Sequence, residues 1–566
     1  MNKRQKLFWV QVSLVFGAAL IFSLSSCGRK EMADLILING TVWTGKTDKP
    51  WAEAVAIKEE RILAVGTSEE IRKLVRGKTG SSLDLNQALV LPGFTDSHTH
   101  FLEGGLALGS IQLKDAASRE EFIARVASQA KKLGPGKWIT QGNWDHQQFD
   151  PPELPQKEWI DPVTRENPVL ISRHDGHMAL ANSLALSLAK ITRETASPPG
   201  GEIQKNPLTG EPTGILTDAA IELVSQHIPE PTFAEKVAAA REAVAHAVRY
   251  GVTSVHDMGE VSSLEVYEEL WRQHELNCRV FLYIPITAID LWEKLSQRPP
   301  SNPDFLRLAG LKGFVDGSLG AATALFFEPY LHQPQNCGLL HNQMYPEGIM
   351  EERIRRADQM GLQVAIHAIG DRANSLILDI FEKIMAENGP RERRFRVEHA
   401  QHLKLPDMER MAQLGVIASV QPYHLADDGR WAERRIGPER ARTTYAFRSL
   451  LRSGVKLAAG SDWTVAPLDP LTGIWAAVTR QTVDGQHPQG WVPEEKITVE
   501  EAVRAYTLGG AYAGFVDDKK GTVEPGKWAD LVVLDKNIFT LLADKILEAR
   551  VLMTIVGGRV VYKAEE

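Results

Sequence analysis

The sequence predicts an α/β protein: a (β/α)8 TIM barrel with a large insertion after its first strand, plus a small β-sandwich formed by both termini. Three observations carry this expectation. Eight apolar runs of strand length alternate with amphipathic helical stretches through the body of the chain, which is the pattern of a parallel architecture. Polar side chains able to bind metal follow several of those runs, where a barrel places its site. Short β segments stand at both ends of the chain, with one long body between them.

Taken in order, residues 1–6 are basic and residues 7–24 almost wholly apolar, and Ser25-Ser26 precede Cys27. Small residues before a cleavage point mark a secretory signal over 1–26. The following cysteine resembles the bacterial lipobox, in which Cys27 is lipidated and becomes the mature N-terminus. That implies an exported lipoprotein on the periplasmic side of the envelope, with an N-terminal lipid anchor as its membrane contact. Gly28 in place of aspartate is similar to outer-membrane sorting in Gram-negative lipoproteins. The alternative is an uncleaved anchor, since the apolar run is just long enough to span a bilayer.

Residues 27–90 contain a strand at 35–42, a hairpin at 54–66 and a further strand at 82–85. Segments 529–534 and 551–561 answer them, so 517–566 is expected to complete the sandwich. Between them, 91–516 is read as the barrel. Its strands are expected at 89–96, 252–257, 279–284, 308–315, 363–368, 394–399, 416–421 and 455–460. The first interval is too long for one helix, so 110–245 is read as an inserted lobe over the barrel mouth that builds much of the pocket.

The bulk properties narrow the function. With 566 residues, 43% hydrophobic and 24% charged, the chain is neither disordered nor fibrous. Its formal charge of −8 becomes −11 once Lys3, Arg4 and Lys6 are removed with the signal, a surface poorly suited to nucleic acid. Three cysteines without a CxxC pattern indicate neither a cysteine zinc site nor a disulfide framework. Cys278 and Cys337 are read as free thiols, with pairing open in an oxidising compartment. Oligomeric state leaves no signal.

The strand ends carry the chemistry. His98 and His100 stand two apart after the first run, so their side chains point to one side. Two imidazoles on one face begin a metal site. Lys312 lies in the fourth run, His367 ends the fifth, His399 ends the sixth, and Asp462 follows the eighth.

The ordered set, with the words His-Ala-Ile-Gly-Asp-Arg-Ala (367–373), Arg-Val-Glu-His-Ala-Gln-His (396–402), Asp-Gly-Ser-Leu-Gly (316–320) and Gly-Ser-Asp-Trp (460–463), resembles the metal-dependent amidohydrolase superfamily over 33–562. The words are similar to the amidohydrolase 3 branch, which includes N-substituted formamide deformylases. That resemblance implies His98, His100 and Asp462 on one divalent metal, His367 and His399 on a second, and a carbamylated Lys312 bridging both. If the bridge fails, one metal sits on His98, His100 and His367, with Asp462 as a further ligand. Imidazole with carboxylate suits zinc best.

A metal of this kind lowers the pKa of water and polarises a carbonyl. Asp462 would take the water's proton and pass it to the leaving nitrogen. The expected activity is cleavage of a non-peptide amide C–N bond in a small molecule. The competing readings are an ester, lactone or carbamate hydrolase on the same metals, and a catalytically silent metal-binding lipoprotein.

Further residues are assigned to the pocket, each with a plainer alternative. His174 and His177 in the inserted lobe either line the pocket or form a hydrogen-bonded turn. Trp144 and Trp463 are aromatic walls or core. Arg372 contacts substrate or orients His367, or forms a structural ion pair. His256 at the second strand end and His424 after the seventh face the mouth and are assigned no role.

Overall fold

The computed structural model describes residues 32–75, 81–146, 149–151, 153–173, 178–198, 201–320 and 322–565. Its centre is a parallel sheet of eight strands in chain order: β1 (Phe94–Thr99), β2 (Val252–Asp257), β3 (Arg279–Pro285), β4 (Leu306–Phe314), β5 (Gln363–Ala368), β6 (Arg396–His399), β7 (Ile417–Val420) and β8 (Leu457–Ala459). These strands are buried along most of their length, as a sheet wrapped by helices requires. The barrel closes at its C-terminal rim. There the Asp462 amide donates to the His98 carbonyl and the His100 amide to the Trp463 carbonyl, both at 2.7 Å. Gly460 permits this approach, because a Cβ there would lie 2.5 Å from the His98 amide nitrogen.

The first expected strand, 89–96, divides between two sheets. Leu89–Pro92 pairs with Leu531–Leu534 in the sandwich, and only Phe94–Thr99 enters the barrel. The switch falls at Gly93, where a Cβ would meet the Thr253 side chain at 2.3 Å. An unbroken apolar run cannot reveal such a change of sheet, because both halves are fully buried.

The sandwich joins a four-stranded sheet from the N-terminal region to a six-stranded sheet drawn from both termini. Leu37, Val55 and Ile57 pack against Val90, Leu531, Val533 and Ile555 between them. Asp530 connects sandwich to barrel. It accepts two hydrogen bonds from the buried Arg279 of β3, at 2.8 and 2.9 Å, and the guanidinium lies between the rings of Phe305 and Trp528. Two donors matched to two acceptor oxygens compensate for burying both charges.

The inserted lobe holds its own six-stranded sheet, running from Ile111–Gln112 at one edge to Gly201–Lys205 at the other. Its core contains Phe122, Trp144, Trp159, Ile160 and Leu180. The lobe is shorter than the expected 110–245. Helix Phe233–Arg249, opened by a Thr232/Glu235 capping box, turns Val237, Ala240, Ala243, Val244 and Ala247 into the barrel core. Cys278 is buried, Cys337 half-buried, and both are free thiols. Among the described residues no helix is long and apolar enough to cross a membrane. The signal segment 1–26 and Cys27 lie outside those residues.

Candidate metal centre

A cavity of about 480 Å³ opens at the C-terminal ends of the barrel strands. At its floor the Asp462 carboxylate stands between two sets of imidazoles. Asp462 Oδ1 lies 3.5 Å from His98 Nε2 and 3.4 Å from His100 Nε2. Its other oxygen lies 3.9 Å from His424 Nε2, and the His424 ring stacks against that of His399. His98, His100 and Asp462 form one group whose donor atoms lie within 4.8 Å of one another; His399, His424 and Asp462 form a second. His399 Nδ1 and His424 Nε2 are buried with no hydrogen-bond partner. Orphaned nitrogens beside a shared carboxylate suit a divalent cation with imidazole and oxygen ligands.

Local backbone sets these directions. His98 ends its side of β1, while His100 lies just beyond the strand and starts helix Phe101–Leu108. His399 and Asp462 adopt φ of 73° and 57°, conformations that residues other than glycine seldom take. They turn both side chains off their strand ends toward the cavity floor.

Burial tunes the donors. It holds His98 down at about 4, with the charge of Lys312 reinforcing the shift, and holds His367 down at about 3. His399 also falls well below the ordinary histidine range, mainly through desolvation. The depression favours the neutral imidazole, the form that binds metal. Burial alone would raise Asp462, but His98, His100, His399 and His424 outweigh it and keep the carboxyl well below the usual range. Lys312 is buried with Nζ 3.4 Å from His98 Nε2 and 4.7 Å from the centre of the Phe314 ring. Desolvation brings it down to about 8, against the pull of Glu398 and Asp462.

Behind His98 runs a fully buried polar chain that sequence reasoning missed. His98 Nδ1 is 2.5 Å from Glu398 Oε2, and Arg396 donates to both Glu398 oxygens at 2.7 and 3.0 Å. Arg396 also donates to the Ser97 carbonyl and the Ser419 hydroxyl and contacts His256 Nδ1. Glu398 therefore fixes which His98 nitrogen faces the cavity. Its signal in the sequence was strand alternation with Arg396, two residues before it. His424 was noticed at the mouth but given no role.

Several expected placements are corrected. His367 belongs to neither metal-competent group. It does line the cavity with its ring packed on His399, while its Nε2 bonds the Gly317 carbonyl at 3.0 Å in the turn after β4. Trp144 is sealed in the lobe core, its indole N–H donating to the Ile171 carbonyl at 2.8 Å. Trp463 stacks on His246 within the barrel core. Arg372 lines a separate groove with Phe327, Leu339 and Tyr345. His174 and His177 lie outside the described residues. Among those described, no lobe residue lines the cavity; its outer wall comes from the β4–β5 and β7–β8 connections.

Residues 82–562 match the Amidohydrolase family. The chain belongs to the amidohydrolase family. It is 40% identical over 547 residues to Protein LONG AFTER FAR-RED 3 of Arabidopsis thaliana, covering 94% of this chain and 92% of that protein. It is 27% identical over 552 residues to the N-substituted formamide deformylase of Arthrobacter pascens, with 94% and 99% covered. Among solved structures, an uncharacterized metal-dependent hydrolase from Pyrococcus furiosus is 32% identical with a TM-score of 0.74, covering 89% of this chain and all of that one. The amidohydrolase chain thus combines a hydrolase family with His and Asp groups able to hold a divalent metal.

Proposed function

We propose that this amidohydrolase cleaves a non-peptide amide C–N bond of a small molecule by adding water across it. The carrying observation is the Asp462 carboxylate, which stands at the cavity floor between His98 and His100 on one side and His399 and His424 on the other, so that each set with it could hold a metal ion. One or two divalent metals would be held by His98, His100, His399, His424 and Asp462, with zinc the best match to imidazole and carboxylate. When bound, the metal supplies Lewis acidity toward the carbonyl and a lower pKa for water.

The chain's own groups then act as follows. Glu398 accepts from His98 Nδ1–H and so presents Nε2 to the cavity. Lys312, depressed by burial, offers a neutral amine fraction that carbon dioxide can carbamylate, which would add a further carboxylate to the ligands available at the cavity floor. Asp462 takes a proton from the attacking water and returns it to the leaving nitrogen, since an amine departs only when protonated. The products are a carboxylic acid and an amine. The relative named as an N-substituted formamide deformylase supports an amide rather than an ester.

The test is a panel of N-substituted formamides, acyl amines, esters and lactones offered to the metal-analysed enzyme. Amide turnover is expected, lost on chelation together with thermal stability and regained with zinc. Turnover of an ester or lactone with none of any amide would overturn the reading.

We also propose that the protein is a lipid-anchored exported enzyme, on the strength of the segment up to Cys27. Labelled palmitate should enter the wild type and not Cys27→Ser. Equal labelling of both would remove the anchor.

A further inference from the structure

The cavity has a second end whose chemistry the amide reading leaves unexplained. Helix Pro422–Asp428, which follows β7, carries His424 and Asp428 four residues apart and hence on one face. One therefore stands roughly 6 Å further along the helix axis than the other, at about 1.5 Å per residue. Asp428 Oδ2 accepts from the Tyr445 hydroxyl at 2.6 Å and from Gln401 Nε2 at 3.0 Å. Two donors pin that oxygen and with it the carboxylate plane. Oδ1 accepts from no described residue, and Asp428 lines the cavity.

Burial pushes this carboxyl upward while Tyr445, His424, Gln401 and Arg435 pull it down, and among the described residues no ion pair engages it. Tyr423 and Trp431 form the adjoining wall. Asp427 is turned to Arg430, and Arg435 lies over Trp431 while reaching the Leu319 carbonyl. The sole lysine or arginine lining the cavity among the described residues is Lys312, at the opposite, metal-competent end. A pinned carboxylate beside aromatic rings, with no ion pair of its own among the described residues and with the nearby Arg435 engaged by Trp431 and the Leu319 carbonyl, matches a ligand that brings its own positive charge.

We infer that Asp428 binds a protonated amino group on the amine half of the substrate, about one helical turn from the scissile amide. The preferred substrates are then N-acyl derivatives of short diamines. The inference rests on the amide reading above, and its test separates the two.

The wild type is given N-(3-aminopropyl)formamide and N-(3-hydroxypropyl)formamide at neutral pH, where the amine is charged. The cationic compound should have kcat/KM at least about tenfold higher, carried by KM. In Asp428→Asn that ratio should fall to near one. Tyr445→Phe, which keeps the charge and removes one of the two donors that pin Oδ2, should lower it about threefold and decides the matter if Asp428→Asn does not fold. Equal turnover of the two formamides, or a preference undiminished in these variants, overturns the inference. If neither compound is hydrolysed, the amide reading fails instead. Calorimetric binding of the same pair to the zinc-loaded protein then tests Asp428, with the same tenfold preference and the same loss expected.

Discussion

Asp462→Asn is expected to lower amide kcat/KM by about three orders of magnitude or more while leaving the barrel folded. Asparagine has nearly the volume of aspartate, so the close contact between β1 and the segment after β8 survives; it is made by backbone atoms of His98, His100, Asp462 and Trp463. What disappears is the negative charge. The Asp462 carboxylate touches both imidazole sets, raises His100 against the opposing effect of its burial, and is the proton acceptor nearest the cavity floor. An amide side chain neither accepts that proton nor returns it to the leaving nitrogen. Kinetics should be read beside elemental metal content and thermal unfolding. Retained hydrolysis in a metal-replete variant would exclude Asp462 from proton transfer. A loss explained wholly by lost metal would confine it to ligation.

Glu398→Gln should be the most damaging change that never touches substrate. The carboxylate is fully buried, and Arg396 beside it is equally so. Burial by itself would raise Glu398, but Arg396 and then His98 overcome it and set the group well below the usual range. Glutamine matches the shape and removes the charge, so the guanidinium stays buried without its counter-ion. Breaking such a pair costs about 3–5 kcal/mol. His98 loses the acceptor that fixes its tautomer, which lowers metal affinity by roughly ten- to a hundredfold. Because the folded-state pKa is depressed, the stabilisation is fully present above the ordinary glutamate value near 4.5 and declines as pH falls below it. Urea unfolding across pH should therefore show the gap between wild type and variant widest at neutrality and shrinking in acid. A constant gap would mean that Glu398 acts through packing alone.

Much of the barrel was legible because buried parallel strands are short apolar runs and the helices between them are amphipathic. The expected strands at 252–257 and 363–368 coincide with β2 and β5 as found. The first was misjudged because Gly93 passes the chain between two sheets that are equally apolar at that point. The ligand words led to Asp462, His98, His100 and His399. They did not separate His367, whose Nε2 bonds the Gly317 carbonyl, from His424, whose Nε2 makes no hydrogen bond and faces the Asp462 carboxylate at 3.9 Å. Both histidines follow apolar runs, and which nitrogen remains unbonded depends on a turn 50 residues away from His367.

By itself, then, the sequence determined the alternation of strands and helices, the pairing of the termini in a sandwich, and the His and Asp residues at strand ends. Those follow from local pattern, because a strand's period and a residue's own chemistry need no distant partner. Only the tertiary structure decided that Glu398 and Arg396 stand behind His98, that Trp144 is sealed in the lobe, and that the β7–β8 connection rather than the lobe brings His424 and Asp428 to the cavity. These are contacts between segments tens to hundreds of residues apart. Their partners are chosen by barrel closure and loop geometry, which no local pattern encodes.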